Sequence, residues 1–282
     1  MTETQKDLTG MYRFTSIARP IDPAYLTNRA LLIVLPLIGI LSAGLAAFHA
    51  TESAPLSAAF VGMLVAFAAW ALTRELAPDY YGAAFVALVL AWFGYVAFNV
   101  RFVLLVFVAL LLARLVNRST GLPWRLLDTL GVLGLLTWAA INLQQPLILL
   151  IASAAFVLDA VLEDPVRRHY AAAAFCLGAF VWMLGGTTDL VAAGLTLLDW
   201  SLLAVSALGV VLFAITSQDP VSYCDTSPDR LDRTRVNAGL IIGWLVAVQA
   251  VLTGGHSAWL ETPIWASVTA VLLVLPGRSF PR

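Results

Sequence analysis

The chain has 282 residues, 61% of them hydrophobic and only 12% charged, with a formal net charge of −1. Soluble domains carry about 25% charged residues, so the composition excludes an ordinary soluble globular fold. The near-neutral charge gives no reason to expect a nucleic-acid partner. Two cysteines, Cys176 in an apolar run and Cys224 in a hydrophilic stretch, make neither a disulfide framework nor a metal spacing.

A membrane-crossing helix needs about 20 apolar residues, with about 17 as the short limit. Runs of that kind recur along the whole chain, which predicts an all-α polytopic membrane protein. Long unbroken apolar runs exclude a β-barrel, whose strands alternate with period two. Residues 1–25 carry Lys6, Arg13 and Arg19 without an apolar core and read as a cytoplasmic segment, not a cleavable signal.

Proline is favoured in the first helical turn because its missing N–H has no partner there anyway. Prolines punctuate this chain accordingly. Asp22-Pro23 precedes the first run, about 30–50, which Pro36 should kink. Pro55 opens the second run, to 73, and Pro78 the third, to 98. The fourth spans 101–116; Pro123 opens the fifth, to 143, and Pro146 the sixth, to 162. Asp164-Pro165 precedes the seventh, to 184, and the eighth covers 190–215. Ser227-Pro228-Asp229 opens the ninth as a charged stalk that turns apolar at 238 and ends near 253; Thr262-Pro263 opens the tenth, to 275.

Cytoplasmic loops collect Lys and Arg. With ten crossings and both termini inside, fifteen of the sixteen basic residues fall on the cytoplasmic side, and only Arg101 falls outside. One crossing more or fewer would scramble that partition, so the charges support the count. The join at Gln144-Gln145-Pro146 then divides the chain into residues 26–144 and 145–276, five helices each, with 217–237 as a cytoplasmic loop and 277–282 as a tail. An odd number of helices per half sets the halves in opposite orientation, the condition for an inverted repeat.

Ionisable groups inside a membrane are costly and mark candidate sites. Asp128 and Asp159 lie about equally far from the central join and should reach similar depths near the cytoplasmic interface, level with Arg114 and Arg125. Such carboxylates serve either in an interfacial ion-pair belt or as a coupled pair that takes up a proton or cation. Asp199 lies mid-membrane if its helix starts at 190, and at the outer surface beside Trp200 if 187–199 is interfacial. Asn142, Gln144, Gln145 and Gln249 are candidates to line a polar path, and Arg167 and Arg168 to meet lipid head groups. His49, Glu52, Asp189, His256 and Glu261 gather on the outer side, and Gly39, Gly44, Gly131, Gly134, Gly178 and Ala171–Ala174 offer small faces for helix packing. No metalloprotease, nucleophile-elbow or phosphate-loop motif occurs, so no catalytic residue, metal or cofactor is assigned.

In helix count, helix length and topology the chain resembles the ten-helix drug/metabolite transporters. That likeness implies a small secondary transporter or permease of the cell membrane for an organic or lipophilic solute. Two other readings stay open: a non-catalytic accessory subunit, with other membrane subunits or copies of itself in a membrane complex, and a lipid-modifying enzyme using Asp159, Glu163, Arg167, Arg168 and His169. Reporters fused at Gln144-Gln145 and after the last residue should report opposite compartments; a shared compartment would remove the ten-crossing topology.

Overall fold

The structure, a computed structural model, describes Tyr12 and residues 15–48, 54–98, 103–186, 190 and 194–274. The described residues form helices and no β-strand beyond one isolated bridge. In chain order the helices are α1 (Leu26–Phe48), α2 (Pro55–Leu76), α3 (Tyr81–Ala97), α4 (Val103–Asn117), α5 (Leu126–Leu143), α6 (Leu147–Val161), α7 (His169–Leu184), α8 (Leu197–Thr216), α9 (Arg233–Gly254), the single turn α10 (Ala258–Glu261) and α11 (Ile264–Leu273). Five of them, α1, α2, α5, α8 and α9, are long and apolar enough to cross a membrane. The remaining apolar helices, α3, α4, α6, α7 and α11, have 10–17 residues.

The proline signals operate as physical chemistry requires. Pro55 is the first residue of α2, and Pro146 and Pro263 immediately precede α6 and α11. The third and fifth helices begin three residues past Pro78 and Pro123, and two starts differ more. The eighth helix begins at Leu197, not 190, because Thr196 and Asp199 form a capping box: the Thr196 hydroxyl accepts the Asp199 N–H at 3.3 Å, and the Asp199 carboxylate accepts the Thr196 N–H at 2.7 Å. The ninth has no stalk at 228. It starts at Arg233, capped by Asp232, which accepts the Arg235 N–H at 2.7 Å. Residues 222–231 instead fold back on themselves, with Tyr223 bridged to Arg230 and Cys224 N–H donating to the Asp229 carbonyl.

Helices α2, α4, α6 and α9 form the centre. The apolar stretch of α2 or α9 is 56% buried, that of α1, α5 or α8 only 28%. α2 packs against α1, α3, α4, α9 and α11; α4 against α9, α6 and α5. The core holds Leu72, Leu105, Leu112, Leu136, Ile148, Phe156 and Leu240, all inaccessible to solvent. The two five-helix groups differ in their neighbours. α2 packs against α1, α3 and α4, whereas its positional counterpart α7 packs chiefly against α6 and α5.

Of the anticipated glycines, Gly39 makes a close approach, a Cβ there lying 2.9 Å from Met63 Sδ, and other close approaches occur at glycines that were not anticipated. A Cβ added at Gly44, Gly131, Gly134 or Gly178 would meet nothing, because these positions face outward. A Cβ at Gly239 would lie 2.0 Å from the Asn117 carboxamide oxygen, and one at Gly243 2.6 Å from Leu76. The α4–α9 and α2–α9 contacts therefore depend on these two glycines. Gly239→Ala should lower the thermal midpoint of the purified protein, while Gly44→Ala, which gains helix propensity of about 1 kcal/mol without a clash, should not. Equal melting of both variants would dismiss the close approach.

Candidate functional site

At one end of the bundle, the end where the arginines collect, four segments converge: the stretch 15–19 before α1, the α4–α5 loop, the α6–α7 loop and the α8–α9 loop. Asp159, in the last turn of α6 and fully buried, is their hub. Arg118 grips it in a fork, Nε to Oδ1 at 2.7 Å and Nη2 to Oδ2 at 3.0 Å. Arg235 Nη1 donates to Oδ1 at 3.0 Å, and His169 Nδ1 lies 2.7 Å from Oδ2. The fork depends on local backbone. Arg118 follows the last residue of α4 in the left-handed region (φ 49°) and its N–H closes on the Arg114 carbonyl, a helix stop that turns the chain toward α6. The same guanidinia satisfy backbone: Arg118 Nη1 donates to Asp164 O at 2.6 Å, Arg235 Nη1 to Val116 O at 2.8 Å, and Arg235 Nη2 to Glu163 O.

Asp128 does not join Asp159. Its Oδ2 accepts both the N–H and the hydroxyl of Ser16, each at 2.6 Å. Ser16 in turn accepts at its carbonyl from the Thr120 hydroxyl at 2.8 Å, so the stretch before α1 crosses the bundle end as a strap. Farther along, Arg19 Nη1 reaches Glu75 Oε1 at 3.1 Å and Arg19 Nε reaches Asp225 at 2.6 Å. Arg114 Nε shares the same Glu75 oxygen at 3.0 Å. Burial alone would depress the Arg19 guanidinium, but Glu75 and Asp225 outweigh it and hold it charged above its ordinary range. Burial pushes the Tyr12 phenol up to about 12, with Asp225 acting in the same sense, and pushes the Cys224 thiol up as well. Arg125 Nη2 donates to Tyr12 O at 2.8 Å, and Arg168 Nη2 to the Trp124 carbonyl. Arg167 is exposed.

By distance, Asp159, His169 and Thr129 make a carboxylate–imidazole–hydroxyl series, His169 Nε2 lying 3.0 Å from Thr129 Oγ1. It lacks what a nucleophile needs. Thr129 is 3% exposed, its hydroxyl also lies 3.0 Å from the Arg125 carbonyl, and Trp124 and Phe156 pack edge-on against the imidazole.

Asp199 lies at the opposite end, buried in the first turn of α8. Besides Thr196 it takes His256 Nδ1 at 2.7 Å and the Trp259 Nε1–H at 2.9 Å. The amide candidates do not line one path. Gln249 Nε2 donates to Gln145 Oε1 at 3.0 Å, both side chains buried. Asn142 and Gln144 are exposed and bond back to the Trp138 and Ile141 carbonyls. His49, Glu52 and Asp189 lie outside the described residues. No group of His, Cys, Asp and Glu suited to a metal occurs among the described residues.

Arg118, Arg235, Arg19, Glu75 and Ser16 were not singled out from the sequence. The only signal pointing to them was the gathering of arginines at one end, which assigns no partners. Comparison with known protein families, curated proteins and solved structures finds no match to the chain. Function therefore has to be argued from these residues.

Removing one partner of a buried ion pair leaves an uncompensated charge and costs about 3–5 kcal/mol. Asp159→Asn should lower the unfolding free energy in mixed micelles by that order, and Arg118→Lys by less, because the fork is lost but the charge stays. Exposed Asp219→Asn should leave it unchanged; three indistinguishable melts would remove Asp159 as the hub.

Proposed function

We propose that the chain is a multi-pass protein of the cell (inner or plasma) membrane, its arginine-rich end cytoplasmic, and that it serves as a non-catalytic structural or accessory subunit of a membrane assembly. The membrane placement is supported by the five long apolar helices and by the broad apolar faces of α1, α5 and α8, where Ile33, Ile40, Leu127, Leu197, Val205 and Ile215 are exposed. The orientation is supported by the arginine distribution.

The choice among functions rests on one observation: four serine hydroxyls within the bundle are already used inside it. The Ser42 hydroxyl accepts from Trp92 Nε1 and the Ser206 hydroxyl from Trp244 Nε1, both at 3.0 Å. Ser153 donates to Ala173 O at 2.9 Å and Ser267 to Ala69 O at 3.0 Å. A transporter needs polar groups free to meet solute or water partway across, and an enzyme needs ionisable groups converging on an open cleft. Asp128, Asp159 and Asp199 are each held by protein donors. A subunit that only positions neighbours needs neither feature.

Cysteine accessibility tests the reading. In a background carrying Cys176→Ala and Cys224→Ser, the variants Ser153→Cys, Ser206→Cys and Ser267→Cys should resist a membrane-impermeant maleimide applied from either side. Labelling of two of them in intact membranes would establish a hydrated path and return the transporter reading. Purification in mild detergent at native expression should bring down a partner in fixed stoichiometry; recovery of the chain alone would count against the accessory role.

A further inference from the structure

At the arginine-rich end, the α2–α3 junction, the end of α8 with the loop after it, and the start of α9 enclose a cavity of about 120 Å³. Its deep part is apolar: Leu76, Phe213 and Val236 line it and are buried. Its mouth is charged. Asp219 there is exposed, and Asp79 and Arg233 are half-buried.

The walls are held by the protein's own bonds. Asp79 accepts the Val221 and Ser222 N–H groups, each at 2.9 Å, and the Ser222 hydroxyl at 2.6 Å, which ties the α8–α9 loop to the α2–α3 junction. Tyr80 packs edge-on against Phe213 with ring centroids 5.7 Å apart. Asn237 is used as well, donating from Nδ2 to Ala214 O at 3.1 Å and accepting the Ser217 hydroxyl at 3.2 Å.

Arg233 and Asp219 are the exceptions. Arg19, Arg114, Arg118 and Arg235 each meet a carboxylate, but Arg233 meets none among the described residues. It donates only from Nη2, to Ile215 O at 3.1 Å and Ala214 O at 3.5 Å, which leaves Nε and Nη1 without a partner among the described residues. Asp219 has neither a hydrogen bond nor an ion pair there. Two opposite charges therefore line one small cavity without closing on each other. A guanidinium matches a carboxylate in shape and charge, and a carboxylate matches an ammonium. A ligand carrying only an amine would meet Arg233 as a like charge, and one carrying only a carboxylate would meet Asp79 and Asp219.

We infer that this cavity binds one zwitterionic α-amino acid with an apolar side chain, its carboxylate on Arg233, its ammonium on Asp219 and its side chain against Leu76, Phe213 and Val236. The inference goes beyond the accessory role proposed above and does not depend on it. It gives the arginine-rich end a small molecule to sense.

The test is calorimetry and thermal shift on the full chain purified in detergent. Leucine is compared with isoamylamine, which lacks its carboxylate, and isocaproate, which lacks its ammonium. One leucine should bind per chain and raise the thermal midpoint as its concentration rises. Each analogue should bind at least about tenfold more weakly, because one charge-assisted contact is missing. Arg233→Gln should bring leucine down to the level of isoamylamine, and Asp219→Asn should bring it down to the level of isocaproate. Arg233→Lys keeps the charge and should keep part of the preference for leucine over isoamylamine. If Arg233→Gln does not fold, Asp219→Asn decides, since its side chain bonds to nothing among the described residues. No binding at millimolar leucine, equal binding of leucine and either analogue by the unaltered protein, or unchanged leucine affinity in Asp219→Asn overturns the inference.

Discussion

The buried carboxylate of Asp159 is the constraint on which the arginine-rich end depends. Taking a carboxylate and two guanidinia out of water costs several kcal/mol for each ion, and a single contact does not recover that. Here the forked geometry of Arg118, the second cation from Arg235 and the imidazole of His169 act together on two oxygens. The leftover guanidinium N–H groups find carbonyls where α4 and α6 stop: Val116, Glu163 and Asp164. The final carbonyls of a helix have no partner within it, and cations are favoured there by the helix dipole. One carboxylate thereby holds α4, α6, α7 and α9 in register, while its guanidinia satisfy the Val116 carbonyl in the last turn of α4 and two loop carbonyls just past α6.

The rest of that end follows. With Arg118 and Arg235 committed to Asp159, Arg114 turns to Glu75, which it shares with Arg19 from the strap. Arg19 reaches on to Asp225 in the α8–α9 loop, and that loop hydrogen-bonds through Asp225 and Thr226 to the carbonyls of Ser119 and Thr120. The strap, two loops and three helix ends form one network. Opening it would break several buried pairs at once, whereas conformational equilibria used for function span a few kcal/mol. That disproportion favours a static subunit over one that alternates between two open faces.

What was legible in the sequence was local. Prolines beside Pro55, Pro146 and Pro263 set helix starts through their own backbone geometry, and apolar run length supplied the helices between them. The start of α8 stayed open between 190 and an interfacial 187–199 because residues 190–196 read as apolar continuation; the Thr196–Asp199 capping box, a four-residue signal, marks the beginning at Leu197. The partners were not legible because they are distant in sequence: Arg118 and Asp159 are 41 residues apart, Arg235 and Asp159 76, Ser16 and Asp128 112. Charge counting collected the arginines at one end, but several arginines and a few carboxylates pair in many ways, and packing alone selects among them. Glycine was a partial signal, right at Gly39 against Met63 and empty at Gly44, Gly131, Gly134 and Gly178: the sequence shows which residues are small, while the facing side chain, Asn117 over Gly239, decides which must be.

The distribution of unspent polar capacity ties these strands together. The buried side-chain atoms without a partner among the described residues belong to Trp70, Arg74, Glu75, Asn117, Gln249, Thr262 and Trp265. Each lies within about two turns of a helix end, at 3.6 residues per turn. Farther in, near the middle of α8, the Ser206 hydroxyl donates to the Leu203 carbonyl and accepts from Trp244. That pattern accords with the proposed membrane placement, because an unpaired polar group in hydrocarbon has neither water nor head group to turn to. The two ends then differ in kind. At the arginine-rich end most polar groups are consumed by one another, and the network's task is cohesion. At the far end Thr262 and Trp265 keep buried polar atoms without a partner among the described residues, and Asp199 with His256 and Trp259 supplies the local cohesion.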